Sequence, residues 1–192
     1  MAIIFVALMT VEHVVSYSLG YFVFVIASIT DYYDGKIARE RNLITNFGKL
    51  LDPVADKVLM LAAFLMMMKI EALHIPSWAI VIILAREYLV TGARALAASE
   101  GQVIAAINSG KLKTVLQIVY VLIFLFMAIL IEGLKVYPDF GAYFPGGDSR
   151  PWIHGIGIAS IISIILVSFY TVYSGLEFAL KNKTLFTPND TP

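Results

Sequence analysis

The sequence predicts an all-α, polytopic membrane helix bundle, and three observations lead there. Of its 192 residues, 59% are hydrophobic and 15% charged, whereas a soluble domain carries about 25% charged and 45–50% apolar residues. The apolar residues gather into recurrent stretches bounded by charges, Gly or Pro. Strand-like alternation and Asn-Gly turn signals are absent, which disfavours a transmembrane barrel. The apolar excess is therefore matched to lipid, with about six transmembrane helices in a single domain over residues 1–182 and a polar tail over 183–192.

The first element, in MAIIFVALMTVEH, is an apolar run of about half the ~20 residues that a bilayer core requires. It opens with no basic segment and has no small-residue cleavage site before Glu12, so it is not a signal peptide. It reads as a truncated first span. Further apolar stretches follow at Tyr17 to Thr30, Val54 to Met68, Ile75 to Ala98, Val115 to Ile131 and Ile153 to Leu180. Trp78 and Trp152 stand at the starts of the fourth and sixth, where amphipathic rings settle at headgroup level. Met66 to Met68 serve as lipid-facing or core filler, and Gly155, Gly157, Ala159, Ser160 and Ser163 make a small-residue face suited to close helix packing.

Charge fixes partners and orientation. Fourteen Lys and Arg balance 14 Asp and Glu, leaving no surplus to neutralise a phosphate backbone, so nucleic acid is excluded as a partner. With no cysteine, thiolate metal sites, iron–sulfur clusters and Cys nucleophiles are excluded as well. Eleven basic residues fall on one side: Lys36, Arg39, Arg41, Lys49, Lys57, Arg86, Arg94, Lys111, Lys113, Lys181 and Lys183. Only Lys69, Lys135 and Arg150 fall on the other, which marks the first side as cytoplasmic in a multi-pass protein of the cell membrane. His13, His74 and His154 lie near the opposite ends of their spans and are poorly placed to share a centre with acids on the cytoplasmic side.

The chemistry lies in residues 31–57, DYYDGKIARERNLITNFGKLLDPVADK. At 100° per residue, Asp31 and Asp34 are 60° apart on one helix, with Gly35, Ala38 and Arg39 on the same arc; on the next, Gly48, Asp52 and Asp56 step along one stripe. Four carboxylates near a membrane cannot all stay ionised without countercharge. Oxygen-only ligation points to Mg²⁺, Mn²⁺ or Ca²⁺, and four acids can hold two ions about 3.5–4 Å apart, as in phosphoryl transfer. The competing reading, in which the acids cap helix ends and pair with Lys36, Arg39, Lys49 and Lys57, is disfavoured by two acid pairs with small residues beside them. Gly35, Ala38 and Gly48 remove bulk where a phosphate ligand or a neighbouring backbone must approach.

The pattern Asp31-x2-Asp34-Gly35-x2-Ala38-Arg39-x8-Gly48-x3-Asp52-x3-Asp56 resembles the full signature of the CDP-alcohol phosphatidyltransferases, with every fixed residue and gap present. The stretches FGKLLDPVADK, AREYLVTGARALAASEGQVIAA and GKLKT are similar to the branch that uses sn-glycerol 3-phosphate. The resemblance covers roughly residues 20 to 120 and implies transfer of a phosphatidyl group from CDP-diacylglycerol to sn-glycerol 3-phosphate, giving phosphatidylglycerophosphate and CMP. It implies that Asp31, Asp34 and Asp52 bind Mg²⁺ or Mn²⁺, two ions in all, and that Asp56 acts as general base with a share in metal binding. It places Asp31, Asp34, Gly35, Ala38, Arg39 and Gly48 around the nucleotide, and it implies a homodimer. The family's usual amphipathic segment before the first span, which contributes to nucleotide binding, is not found at the start of this sequence.

The acceptor carries a phosphate, so cations are needed beside the acids. Arg86 and Arg94 lie within or near the end of the fourth span, where an Arg is functional by default. Lys111 and Lys113 precede the fifth span, 200° apart, so one of them faces the site, Lys111 ahead of Lys113; Thr91 is a further polar candidate. Arg86 pairing with Glu87 and Arg94 snorkelling to headgroups are the competing structural readings. Other function classes are a family member with another alcohol acceptor, of the cardiolipin synthase type; a membrane prenyltransferase, whose pattern lacks the Gly-x2-Ala-Arg insert; and a divalent-cation transporter, which would place acids at the midplane of repeated halves.

Overall fold

The computed structural model describes residues 1–40, 46–99, 101, 104, 107–137, 139 and 148–183; the side chains of Tyr32 and of residues 34–40 and 46–56 lie outside that description. Six α-helices carry the fold: α1 Ala2–Met9, α2 Val14–Glu40, α3 Asn46–Met68, α4 Ser77–Ser99, α5 Asn108–Val136 and α6 Arg150–Lys181. A 3₁₀ turn at Glu71–Leu73 joins α3 to α4, and no strand occurs among the described residues. The helices outrun the apolar stretches that announce them, because polar and charged residues continue a helical backbone at little cost. Thus α2 runs on through Asp31 and Asp34 to Glu40, and α3 begins eight residues before Val54.

Among the described residues, three helices are long and apolar enough to cross a bilayer: Val14–Asp31 within α2, α5 and α6. The rest depart from six equal spans for separate reasons. At eight residues, α1 extends about 12 Å and cannot cross alone. In α3 the described side chains begin at Lys57, and Lys57–Met68 is an apolar segment of 12 residues. α4 has 23 residues, about 35 Å, but carries Arg86, Glu87 and Arg94 in its length.

Local signals set the helix ends. The Val15 N–H donates to His13 Nδ1 at 3.2 Å, supplying a partner at the start of α2. Pro76 precedes α4, and α6 opens on Arg150-Pro151 with the Arg150 N–H donating to Asp148 Oδ1 at 2.9 Å. His74, at φ 49, turns the chain out of the 3₁₀ segment. That turn presses on α6 at Gly157, where a Cβ would stand 2.7 Å from the Ala72 carbonyl oxygen.

The helices close a ring in the order α1, α2, α5, α6, α4 and α3, and α3 also touches α2 and α5 across the interior. Phe5, Phe24, Phe64, Met67, Ile83, Val121, Leu125 and Ile164 fill the centre. Rings pair at Phe5–Phe24 (5.9 Å) and along Phe64–Tyr120–Phe124 (6.3 and 4.7 Å). In lipid this packing is held by dispersion contacts and by hydrogen bonds between helices, such as Tyr120 with Ser160 at 2.9 Å and Gln117 to Thr171 at 3.3 Å. The small-residue face of the sixth stretch divides: Gly157 and Ser160 are buried, Gly155 and Ala159 exposed. Met67 is core while Met66 and Met68 are half-buried, and both Trp side chains are about half exposed near helix starts.

The ends of the bundle differ in charge. Glu12, Tyr17, Lys69, Glu71, His74 and Lys135 line one cavity at the end where α2 starts and α3 finishes, so α2 and α3 are antiparallel. The other end gathers Lys57, Arg86, Glu87, Lys113 and Ser174. Contacts of Ala79 with Ser168 and of Arg86 with Ser174 show that α4 and α6 run parallel.

Candidate active site

The acid motif maps onto α2 and α3. Asp31 and Asp34 lie about 14 and 9 Å from the end of α2, and Asp52 and Asp56 about 9 and 15 Å from the start of α3. Asp34 thus lies nearer than Asp31 to the end of α2, and Asp52 nearer than Asp56 to the start of α3, on two helices that run antiparallel and touch. Asp31 is exposed. The side chains of Asp34, Gly35, Ala38, Arg39, Gly48, Asp52 and Asp56 fall outside the described set, and their backbone is helical. Among the described residues no group of three or more His, Asp or Glu side chains gathers as a metal cluster. His74 and His13 sit at the opposite end of the bundle.

Lys57, the residue after Asp56, is described and fixes the level of this stripe against the rest of the bundle. Its ammonium stands 3.9 Å from Glu87 Oε2 on α4. The other carboxylate oxygen, Oε1, accepts a hydrogen bond from Lys113 Nζ on α5 and lies 3.6 Å from Arg86 Nη1. All four side chains are 7–14% exposed. One buried carboxylate thus meets cations from three helices. Beneath it, a cavity of about 20 Å³ lined by Lys57, Glu87, Lys113, Thr114 and Gln117 has room for one water.

Arg86 carries the cluster on to α6. Its Nη2 donates to Ser174 Oγ at 2.9 Å, and Ser174 in turn donates to Ser109 at 3.4 Å. Gly175 receives the Arg86 stem so closely that a Cβ there would meet Arg86 Cγ at 3.0 Å. Arg86 Nε is buried with no partner among the described residues. Two turns on, the Arg94 guanidinium carbon lies 5.4 Å over the Phe178 ring, and its Nε is likewise buried and unpartnered. Among the described residues, then, neither guanidinium Nε–H has a hydrogen-bond partner. Buried donors of this kind are costly unless a ligand takes them up.

The other predicted acceptor residues are sorted by burial. Lys113 turns inward and Lys111 lies on the exposed face, the reverse of the order expected from sequence, because α5 already starts at Asn108 and its phase puts Ser109, Lys113 and Gln117 on the buried side. Thr91 is half-buried. The structure adds Glu87, Ser109, Ser174 and Phe178, which the motif reading leaves out. A signal for the α6 partners exists in the sequence: Ser168, Thr171, Ser174 and Phe178 recur at helical spacing inside an apolar span, and all four are buried.

Comparisons with known proteins identify the family. Residues 1–137 match the family model for CDP-alcohol phosphatidyltransferase. The CDP-diacylglycerol–glycerol-3-phosphate 3-phosphatidyltransferase of Bacillus subtilis (strain 168) is 39% identical over 168 residues, which is 88% of this chain and 75% of that protein. The protein of the same name from Rickettsia typhi is 32% identical over 183 residues, 95% of this chain and 90% of the relative. An acid motif on antiparallel α2 and α3, a buried cationic cluster level with it, and a match over most of the bundle have one reading: the chain is a membrane enzyme of the CDP-alcohol phosphatidyltransferase family.

Proposed function

We propose that this chain transfers the phosphatidyl group of CDP-diacylglycerol to sn-glycerol 3-phosphate, releasing CMP and forming phosphatidylglycerophosphate, as the names of its relatives state for them. The observation that carries the acceptor is the pair of buried, unpartnered guanidinium nitrogens of Arg86 and Arg94, with Lys113 beside Arg86. A neutral alcohol offers these cationic donors hydroxyl oxygens but no countercharge. A phosphate monoester fills them, and Arg offers it a planar fork.

The family is generally divalent-metal dependent. Four carboxylates on contacting antiparallel helices offer oxygen ligands alone, a donor set that fits Mg²⁺ or Mn²⁺, in our reading two ions held by Asp31, Asp34, Asp52 and Asp56. When bound, the metal supplies positive charge against the diphosphate and the departing CMP. Gly35, Ala38, Arg39 and Gly48 line the nucleotide's path, with Arg39 contributing charge. Arg86, Arg94 and Lys113 hold the acceptor phosphate, with Thr91 and the exposed Lys111 at the approach. The 1-hydroxyl oxygen of the acceptor attacks the β-phosphorus; the bond from that phosphorus to CMP breaks, and CMP leaves with the electron pair. Asp56 takes the hydroxyl proton, a role open to it to the extent that it is not committed to metal. The site faces the cytoplasm by the basic excess at that end, and the chain works as a homodimer in the bilayer.

The test is CMP release from CDP-diacylglycerol in detergent micelles or liposomes, with a panel of alcohols and with or without Mg²⁺ and Mn²⁺. Turnover is expected with glycerol 3-phosphate and metal. Turnover with another alcohol and none with glycerol 3-phosphate overturns the acceptor.

A further inference from the structure

We infer that Glu87 is a positioning residue for the acceptor site: its carboxylate, shared by Lys113, Arg86 and Lys57, sets where the acceptor's phosphate binds. The inference rests on the acceptor reading above and adds a residue which that reading does not use. Glu87 stands in the interior of α4 and is nearly buried, where a lone carboxylate is disfavoured by desolvation. Among the described residues it is also the one carboxylate within ion-pair distance of Lys57, Arg86 or Lys113. Each cation comes from a different helix, so without Glu87 three like charges would face one another at the end of the bundle.

Their responses would differ. Arg86 is braced independently, by the bond to Ser174 and by the seat at Gly175, and keeps its place. Lys57 and Lys113 hang on flexible four-carbon stems, and no hydrogen bond to another described partner holds either ammonium. Removing the charge of Glu87 therefore releases Lys113 from the side of Arg86, and the phosphate loses one of its cations while the nucleotide end of the site, on α2, is untouched. The carboxylate also ties α4 to α3 one residue beyond Asp56, so it holds the acceptor cations at the level of the acid stripe.

Glu87→Gln keeps the size and one oxygen acceptor but not the charge. The expected result is a rise in the glycerol 3-phosphate KM of about ten- to a hundredfold, the worth of a hydrogen bond to a charged group, with the CDP-diacylglycerol KM unchanged, kcat nearly so, and Tm lowered because three nearly buried cations lose their shared counter-ion. The inhibition constant of inorganic phosphate should rise in parallel. Glu87→Asp keeps the charge on a shorter stem, folds in any event where charge alone is needed, and should give an intermediate KM. An unchanged acceptor KM in Glu87→Gln overturns the inference. So does an equal rise in both substrates' KM, which would make Glu87 only structural; if Glu87→Gln does not fold, a Glu87→Asp enzyme with wild-type acceptor KM overturns it instead. If the wild type uses another alcohol and not glycerol 3-phosphate, the acceptor reading fails on its own, and inorganic phosphate inhibition against that alcohol still reads Glu87.

Discussion

Replacing Arg86 by Lys puts the acceptor site to its sharpest test, because it keeps the charge and removes the geometry. The native guanidinium works in three directions at once: Nη2 to Ser174 at 2.9 Å, Nη1 towards Glu87 at 3.6 Å, and Nε buried and unused. A single ammonium can keep the Glu87 attraction or turn to the phosphate, but it cannot hold Ser174, Glu87 and the ligand together. What is lost at the acceptor is one charge-assisted hydrogen bond, about 1.5–3 kcal/mol. The side chain is 10% exposed, so solvent screening does not discount this much. The loss corresponds to about a 10- to 150-fold fall in kcat/KM for glycerol 3-phosphate, chiefly through KM. Initial rates of CMP release at saturating CDP-diacylglycerol, with the acceptor varied, give the number. Ser174→Ala, which removes the brace alone, should cost less, about two- to tenfold from a bond worth 0.5–1.5 kcal/mol. If Arg86→Lys stays within about twofold of wild type, or if the loss falls equally on the CDP-diacylglycerol KM, Arg86 does not bind the acceptor phosphate.

Three further outcomes can be checked with the same preparation. Asp52→Asn should abolish CMP release with Tm preserved, and chelation of divalent metal should do the same reversibly, with activity restored by Mg²⁺ or Mn²⁺; near-normal rates contradict the metal assignment. Lys113→Met should raise the acceptor KM about tenfold or more by the loss of a charged hydrogen-bond donor, while Lys111→Met should change it by less than about twofold, and equal effects would place both lysines on one face. Gly157→Ala puts a Cβ against the Ala72 carbonyl, 2.7 Å away, in a backbone contact that cannot swing aside; a fall in Tm by thermal scan is expected at unchanged KM values, and an unaltered Tm refutes the close packing of the turn on α6.

Much of the bundle was legible in the sequence because lipid imposes long apolar runs. Tyr17 to Thr30, Val115 to Ile131 and Ile153 to Leu180 each fall inside an observed helix that can span. The third and fourth stretches are helical as well, but Lys57 at the head of one and Arg86, Glu87 and Arg94 within the other mean that their place depends on partners which hydropathy does not see. The acid motif is legible because it is local: two acids per helix at turn spacing. The acceptor cluster is not local. Nothing in AREYLV says that Glu87 meets Lys57 from 30 residues before and Lys113 from 26 after, and the choice between Lys111 and Lys113 turns on the face that α5 buries, set by its packing in the bundle. The serines and the threonine of α6 carry the correct period, and only the parallel packing of α4 on α6 gives Ser174 its meaning as the partner of Arg86.

The distribution of charge between helices follows from the reaction proposed. Two anions, a diphosphate and a phosphate monoester, must come within bonding distance of each other, so each needs its own countercharge before they meet. The chain carries its acid motif on α2 and α3, beside Lys36, Arg39 and Lys49, and the cations proposed for the acceptor on α4 and α5, with Lys57 and Glu87 joining the two sets. That one pair joins the two halves at a fixed depth, one residue from Asp56 on one side and one residue from Arg86 on the other. In the proposed reaction, a proton acceptor at Asp56 and a phosphate anchor at Arg86 held on helices joined by this pair would bring the hydroxyl to the β-phosphorus by orientation, so that the entropy of bringing the two anions together is met before the bond forms.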